Sequence, residues 1–530
     1  MNRPQPAEPP QAATGRNGCW PASIIITVRI LTAFIIGVLV WLAAPPPLQG
    51  QGFNLPDLGS SAEALATPQE LRRYGRQLLG SFRDAGLLFD DPLLDEYMED
   101  LGYRLVAQAN RPDLHFKFFL IRDRTINAFA APGGFIGTFA GMVLMVETED
   151  ELAAVTGHEI AHITQNHSLR GVESASRMSI PIMLGMLATI VAASQSSGSS
   201  GDAVQAAITS GMGLMQQMQI NYTRANEYEA DRIGVQTLAQ AGFDPGAVSS
   251  LWSRMARVSR NYGLSPPEIL RTHPLETTRI AEAKARADAI AYTPPEPVDV
   301  ASLKSLDGQF RIFQERMRVL MASSSDQTLV NHYRQELDAK PDDPFLGYGL
   351  ALSLTRRQSW SQAEEVTDRL LQAHPETLVL QLLKADIEGR TGRTSAALAR
   401  YQALQDRHPD RAAILAPYAE LLIQHNDADS ARHAVRLLRP LVDRDTDHAR
   451  LYALIGRAYE LSGEAVRAAE SHALSAAWNG RFEDAMRQFE RLQRRPDLDY
   501  YQRARVEARI SELMPLVLEI RRRGGQAGTG

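Results

Sequence analysis

The stretch His158-Glu159-Ile160-Ala161-His162 decides how the first half of this sequence is interpreted. Residues four apart on a helix share one face, so both imidazoles project from the same side and can bind one zinc ion. Glu159 points to the side of that pair. There its carboxylate can take a proton from a water molecule that the metal has made acidic. The segment therefore predicts a zinc-dependent hydrolase with one zinc ion per chain.

The residues before this motif predict a small sheet followed by a helix. Residues 114–121 alternate and then become wholly apolar, as a strand does, and residues 126–139 contain the turn formers of a hairpin. Thr148 and Glu151 have the spacing of a capping box just before helix-spaced apolar residues. We therefore expect the motif to lie about three turns inside a capped helix.

A catalytic zinc needs a third protein ligand and an open position. In one class of enzymes that ligand is a histidine six residues after the second one, but Ser168 stands there, and His167 is out of phase. We interpret His167 as a surface residue or as a neighbour of the ligands. Glu227 and Asp231 lie four apart on a later helical face. We expect Glu227 to be the third ligand and Asp231 to accept a histidine N–H; the alternative is a solvated charged face.

A later histidine, His273, precedes Pro274, and Arg279 follows six residues on. His273 could simply cap and pack at a helix start. It could also reach the cleft, either to stabilise the oxyanion of the tetrahedral intermediate or to take the open position on the metal. The sequence leaves these alternatives open.

Internal repeats dominate the C-terminal part of the chain. Alanines recur with a period of 34 in two series, at 351, 385, 419 and 453 and at 363, 397, 431 and 465. This period, with prolines in the same register, is typical of tetratricopeptide repeats. Such repeats stack helix pairs into a solenoid with a surface for binding another chain. The alternative is a spacer of antiparallel helices that binds nothing.

The fold class that follows is mainly α with a small β-sheet: an α+β metallopeptidase domain followed by an all-α tetratricopeptide-repeat solenoid. The predicted boundaries are a targeting segment at 1–52, the peptidase at 53–291, a linker at 292–325, the repeats at 326–523 and a disordered tail at 524–530. Two apolar stretches, residues 178–193 and 203–220, are interpreted as a lid or plug over the cleft, with a core hairpin as the alternative.

The first 52 residues resemble a signal peptide. Arg29 is followed by an apolar run of fifteen residues, Ile30–Ala44, which is short for a spanning helix. Cleavage is expected, with retention as a membrane anchor as the alternative. Cys19 is the single cysteine and precedes this run, so the mature chain would contain no disulfide. The net charge of −6 comes from interspersed charges, so nucleic acid is not an expected partner.

At these residues the chain resembles the zinc peptidase family that contains the CAAX prenyl endopeptidases and the HtpX-type membrane proteases. Members share HExxH, a later ExxxD and an HP-containing segment that ends in arginine. His158 to His162, Glu227 to Asp231, and His273-Pro274 with Arg279 match these in order. The whole arrangement, protease followed by repeats, resembles a periplasmic member of the family.

The resemblance implies an enzyme that degrades or chaperones stalled outer-membrane β-barrel precursors and docks on the barrel-assembly machinery through its repeats. It also implies that His273 occupies the zinc in a self-inhibited state, and that residues 126–129 lie near an edge strand to which substrate adds. We therefore expect a zinc endopeptidase that acts on unfolded or misassembled exported proteins. The competing hypothesis is a repeat-based chaperone or scaffold whose protease site is largely latent.

Overall fold

A three-stranded sheet lies beside the helix that carries the HExxH motif. β1 (Lys117–Ile121) and β3 (Phe135–Phe139) are parallel, and β2 (Ala128–Ala131) is antiparallel to β3, giving the order β1-β3-β2. The predicted strand and hairpin are confirmed. The computed structural model describes residues 66–109, 111–171, 173, 223–261, 267–292, 306–323, 325–444 and 448–527, all within the unit Ser61–Gly530.

Several segments interpreted from the sequence lie outside the described residues. They are the targeting segment at 1–52 and the apolar stretches at 178–193 and 203–220. Among the helices that the structure does describe, none combines the length and the apolar character required to cross a bilayer.

The helices of the peptidase half surround this sheet. They are α1 (Pro68–Asp84), α2 (Pro92–Val106), α3 (Ala140–Met145), α4 (Glu149–Thr164), α5 (residues 223–240), α6 (Ala247–Asn261), α7 (Glu268–Thr272), α8 (Thr277–Asp288) and α9 (Leu306–Leu320). α4 packs against α2 on one side and against β2 and β3 on another. The motif helix is therefore at the centre of the peptidase core.

The hairpin turn before β3 requires glycine. Gly134 has φ of +88°, a conformation that only glycine adopts readily. A Cβ atom there would lie 1.5 Å from the backbone oxygen of His115. Lys117 donates its backbone N–H to the oxygen of Gly134 at 2.9 Å, which joins the turn to the start of β1. The turn is therefore clamped against the loop that leads into the sheet.

The cap of α4 forms as predicted at Thr148, with one difference. The side chain of Thr148 accepts a hydrogen bond from the backbone N–H of Glu151 at 3.1 Å. The carboxylate of Glu151 reaches back to the N–H of Glu147 rather than to that of Thr148, at 2.8 Å. Arg254 also binds this carboxylate, so Glu151 joins the start of α4 to α6.

α4 and α5 have a glycine each where they cross. A Cβ atom at Gly234 would lie 3.4 Å from the backbone nitrogen of His158, and one at Gly157 would lie 3.8 Å from the oxygen of Gly234. Both are ordinary contact distances, so the two helices pack here at van der Waals separation. This crossing places Glu227 and Asp231 of α5 against His158 of α4.

Part of the predicted linker at 292–325 is a helix, α9, that belongs to the peptidase core. Phe310, Phe313 and Met317 have helical spacing and are buried in the same apolar cluster as α2 and α4. Gln314 donates to the backbone oxygens of Val143 and Val146 at 2.9 and 2.8 Å. The prolines after residue 291 predict a linker, whereas the apolar spacing further along the chain predicts a helix.

The C-terminal half is a solenoid of antiparallel helices. Its helices are α10 (Asp326–Ala339), α11 (Pro344–Arg356), α12 (Trp360–Ala373), α13 (Leu378–Arg390), α14 (Thr394–Arg407), α15 (Ala412–Gln424), α16 (Ala428–Arg444), α17 (Ala449–Leu461), α18 (Ala465–Trp478), α19 (Phe482–Gln493) and α20 (Tyr500–Ala527). Successive helices pack in chain order. The predicted fold class is confirmed, and α20 continues past residue 523, where the disordered tail was expected to begin.

The 34-residue period predicts the buried positions of only some of the alanines. Six of the alanines are completely buried where helices cross, at 351, 363, 385, 397, 419 and 431. Ala453 and Ala465 are exposed, so their assignment to the series was wrong. The reason is α16, which has 17 residues where α12 and α14 have 14. The three extra residues shift the register, so that Gly456 and Ala468 take the buried positions that correspond to Ala419 and Ala431.

The solenoid packs against the peptidase through α2. Glu96 of α2 accepts from Arg411 at 3.0 Å and from the backbone N–H of Ala413 at 2.9 Å, at the start of α15. Asp90, just before α2, pairs with Arg450 of α17 at 3.0 Å. Part of the solenoid surface is therefore covered by a helix of its own chain.

Candidate metal centre

The two histidines of the motif and Glu227 form one buried cluster. The Nε2 atoms of His158 and His162 lie 3.1 Å apart. The carboxylate of Glu227 lies 3.4 Å from Nε2 of His158 and 3.5 Å from Nε2 of His162. The residues come together because the histidines share a face of α4 and α5 crosses that face at Gly157 and Gly234.

His273 enters the same cluster from the loop after α7. Its Nδ1 lies 3.0 Å from Oε1 of Glu227 and 3.3 Å from Nε2 of His158. One ligand atom from each of the residues His158, His162, Glu227 and His273 lies within 4.8 Å of the others. Several roles for His273 were left open by the sequence. Simple capping at a helix start does not explain why its imidazole lies among the candidate ligand atoms.

Glu159 lies beside the cluster and has no hydrogen-bond partner of its own. The residue is 1% exposed, and neither carboxylate oxygen is hydrogen-bonded. Nε2 of His273 lies 3.6 Å from Oε1 of Glu159. An unpartnered buried carboxylate is costly in a folded protein, so its retention points to a functional role.

These residues fit a metal ion. Three imidazoles and a carboxylate converge on one point, and imidazole with carboxylate is a ligand set that suits zinc and similar transition metals. Without a cation between them, the closely spaced imidazole nitrogens would gain little from facing one another. The unpartnered Glu159 at the side of the cluster fits a group that acts on a water molecule or a substrate there.

Asp231 and Arg279 contact the candidate ligands. Oδ1 of Asp231 lies 3.0 Å from Nδ1 of His158, an ion-pair distance that lacks full hydrogen-bond geometry. Arg279 donates to both oxygens of Asp231 at 2.8 and 2.9 Å. The same guanidinium donates to the backbone oxygen of Pro274 at 2.7 Å and lies 3.1 Å from Glu227. One buried cation therefore links both carboxylates to the loop that carries His273.

His167 is buried next to the ligands. Its Nδ1 lies 2.9 Å from Nδ1 of His162, and its Nε2 lies 3.1 Å from Oε2 of Glu229. Arg170 also binds Glu229, at 3.0 Å. Sequence reasoning missed Glu229, although its place between Glu227 and Asp231 made it a candidate.

The pKa values of the clustered residues depend on burial and on their contacts with one another. Burial lowers the pKa of His158, but the carboxylates of Asp231 and Glu227 outweigh it and raise that pKa to about 10. Burial alone raises the pKa of Glu227, yet hydrogen bonds from His158 and His273 bring it far below its usual range. Burial and the neighbouring His158 lower the pKa of His162. The two carboxylates stay ionised inside the core and favour a bound cation.

All seven residues singled out from the sequence meet in this one place. They are His158, Glu159, His162, Glu227, Asp231, His273 and Arg279. The arrangement combines metal ligands, an unpartnered carboxylate and a buried arginine within a core. Such a set can hold a metal ion, activate a water molecule and support charge that develops on a substrate.

Comparisons with known proteins agree with this geometry. Residues 92–287 match peptidase family M48. The beta-barrel assembly-enhancing protease of Yersinia pestis is 30% identical over 87% of this chain and 92% of its own length. That of Escherichia coli K12 is 29% identical over 92% of this chain and 96% of its own.

Another relative matches a shorter part of the chain. The mitochondrial metalloendopeptidase OMA1 of Schizosaccharomyces pombe is 31% identical over 41% of this chain and 57% of its own length. The resemblance to the family of HExxH peptidases, noted from the motifs, is confirmed. The chain belongs to the beta-barrel assembly-enhancing proteases of peptidase family M48 and is a metalloprotease.

Proposed function

We propose that this chain is a zinc endopeptidase of the periplasm that cleaves misfolded or stalled outer-membrane β-barrel proteins. The observation that carries the proposal is the convergence of four ligand atoms beside the unpartnered carboxylate of Glu159. The names of the relatives supply the class of substrate and the compartment. The ligand set favours zinc among the metals that a protease of this family can use.

His158, His162 and Glu227 would hold the metal. A zinc ion bound there supplies Lewis acidity, which polarises the peptide carbonyl and makes a water molecule acidic near neutral pH. Glu159 accepts the proton of the attacking water and passes it to the leaving amine. Arg279 keeps Asp231 against His158, and this contact orients the imidazole.

The free edge of β2 supports a binding mode for substrate. Phe139 donates its N–H to the oxygen of Asn127, so by the register of the pair Ala128 and Ala130 turn their backbone groups away from β3. Among the described strands, none pairs with that side of β2. An extended segment of an unfolded protein can add there by backbone hydrogen bonds, with little demand on its sequence.

The position of His273 supports a closed resting state. Its imidazole lies among the ligand atoms and 3.6 Å from Glu159, where substrate and water have to enter. We infer that it takes the open position on the metal until the loop moves. Replacement of His273 should then raise basal cleavage several-fold; a fall would assign the residue to the transition state instead.

The solenoid supports docking on the outer-membrane assembly machinery, because tetratricopeptide repeats generally bind other proteins. A closed site is also compatible with the competing hypothesis, in which the chain is a chaperone or scaffold with a latent protease site. Cells that carry Glu159→Gln but retain normal outer-membrane assembly, while a chain ended after Pro297 loses it, would favour binding as the primary role.

The test of the proposal is cleavage by Glu159→Gln protein. We expect this variant to keep its metal and to lose cleavage of an unfolded outer-membrane protein by roughly 10²–10⁴-fold, the usual contribution of a general base. Glu147→Gln is the matched control, because Glu147 precedes the same helix and is 70% exposed. Full cleavage by pure, metal-loaded Glu159→Gln protein would overturn the proposal.

A further inference from the structure

A cavity opens beside the candidate metal ligands. It has a volume of about 210 Å³, and its lining includes His162 at one end and Ala130 and Ala131 of β2 at another. The cavity therefore adjoins both the ligand cluster and the strand edge at which substrate is proposed to add. A side chain next to the bond being cleaved is the part of a substrate that can reach it.

The walls of the cavity are mostly apolar and come from four different segments. Leu71 projects from α1, Leu114 from the loop before β1, and Ile163 and Leu169 from the end of α4 and the residues after it. All four side chains are only partly buried. Partly exposed aliphatic side chains around one concavity gain from being covered by an apolar group.

The walls are held rigidly. Arg111 donates to the backbone oxygen of Thr164 at 2.9 Å and pairs with Asp113 at 2.8 Å, which ties the loop of Leu114 to the end of α4. On the opposite side, Gly133 and Gly134 pack against the backbones of Leu71 and His115. A rigid wall selects side chains by size, because it does not collapse around a smaller one.

The size of the cavity indicates what fits. An apolar cavity of about 150 Å³ holds a benzene ring. A cavity of about 210 Å³ therefore has room for a phenyl or phenol ring or for a leucine or methionine side chain. The lining also includes the charged residues Arg72, Arg111 and Asp113, of which Arg111 and Asp113 pair with each other.

We propose that this cavity is the specificity pocket of the protease and takes a large apolar or aromatic side chain at one of the two positions that flank the cleaved bond. The inference rests on the proposed function, since it concerns the substrate of the same site. It makes the enzyme selective for segments that expose such residues. Folded proteins bury these residues, whereas unfolded chains expose them.

The experiment is to map cleavage sites in a mixture of unfolded proteins by mass spectrometry. Wild-type protein should enrich Phe, Tyr, Leu or Met at one flanking position by roughly 10-fold or more over Ala and Gly, since one methylene gains 10- to 200-fold in an apolar pocket. Leu169→Trp, which fills the cavity, should move the preference to small residues. Leu71→Ala, which enlarges it, should move the preference toward Trp.

Leu78→Ala is the matched control, because Leu78 lies two turns further along the same helix, is also partly buried and does not line the cavity. Its cleavage profile should equal that of the wild type. Cleavage that requires Glu159 but shows no apolar preference, or a preference that neither pocket variant changes, would overturn the pocket alone. Products that persist in Glu159→Gln protein would instead overturn the proposed function.

Discussion

Asp231 lies outside the group of four candidate ligands but contacts one of them, His158. It lies against Nδ1 of His158, while Arg279 binds both of its oxygens. The contact fixes the ring orientation that turns Nε2 toward Glu227 and His162. Buried arginine–carboxylate pairs of this kind are strong and directional.

We predict that Asp231→Asn weakens metal binding by roughly 10- to 100-fold, the usual cost of losing an outer partner of a ligand. Competition with a chromophoric chelator measures this. Glu229→Gln serves as the control, because Glu229 contacts His167 and not the histidines of the motif. An unchanged affinity in Asp231→Asn protein would show that His158 is oriented by something else.

At the residue scale, the spacing of charged and histidine residues predicted most of this cluster. His158 with His162, and Glu227 with Asp231, are four apart, and that spacing alone places each pair on a helix face. The sequence could not show that His273 lies within 3.3 Å of His158, because the two are separated by 115 residues and by loops whose path no local pattern determines. Glu229 was also missed, because its partners His167 and Arg170 come from a different segment of the chain.

At the scale of elements, the turn between β2 and β3 requires glycine at residue 134. Gly134 has a positive φ, and its missing side chain leaves room for the backbone of His115. Both conditions exclude other residues. The same turn borders the cavity beside the metal ligands, so its rigidity bears on substrate selection as well as on stability.

We predict that Gly134→Ala lowers the free energy of unfolding by more than about 2 kcal/mol, since strained dihedrals and a backbone clash add. The control is Gly86→Ala, where φ is +67° and no atom lies within 4 Å of the added Cβ. That change should cost only about 1 kcal/mol. Chemical unfolding of both variants measures the difference, and equal costs would contradict the clash at His115.

At the scale of elements, periodicity predicted the sheet, the motif helix and the repeats, but it failed in two places. α9 was hidden by the prolines of the linker that precedes it, although Phe310, Phe313 and Met317 have helical spacing. The alanine period was extended to Ala453 and Ala465 across a helix, α16, that is longer than its counterparts. A fixed period cannot detect an insertion inside a helix whose sequence remains helical.

The contact between the peptidase and the solenoid belongs to the scale of the whole molecule. A cavity of about 400 Å³ lies between α2 and the helices α15 and α17, and Asp95 of α2 borders it. Burial in this interface raises the pKa of Asp95 to about 8; Lys117 opposes the shift, and Asp91 and Glu99 add to it. His448 of the solenoid lies 4.0 Å from its carboxylate.

The sign of the resulting pH dependence follows from the shift. An aspartate has a pKa near 4 when unfolded, so between about pH 4 and pH 8 the folded chain binds more protons than the unfolded chain. The contribution of Asp95 to the free energy of unfolding is therefore greatest below pH 4 and is lost as the pH rises to 8. About a third of the side chain, 32%, is open to the cavity, where water screens its charge.

We predict that Asp95→Asn removes this dependence and raises the free energy of unfolding at pH 8 by on the order of 1 kcal/mol, after allowance for that screening. Thermal unfolding between pH 5 and pH 8 measures it. Asp100→Asn is the control, on the same helix with a side chain that is 76% exposed. Parallel pH profiles for wild-type and Asp95→Asn protein would contradict the buried position of Asp95.

No pattern in the sequence predicts this interface. Its contacts join residues that are more than 300 positions apart, such as Glu96 with Arg411 and Asp90 with Arg450. Neither hydrophobic periodicity nor repeat spacing indicates which surface of a solenoid meets another domain. The part of the solenoid surface that α2 covers is therefore not open to the partners that the repeats are expected to bind.

The central claim is that His158, His162 and Glu227 hold one zinc ion and that His273 closes it. X-ray absorption at the zinc edge of the loaded protein tests this directly, because it counts imidazole ligands. The account predicts one zinc per chain with three imidazoles in wild-type protein and two in His273→Ala protein, with basal cleavage raised in the variant. Two imidazoles in both proteins would contradict closure by His273, and a chain that binds no metal would contradict the account as a whole.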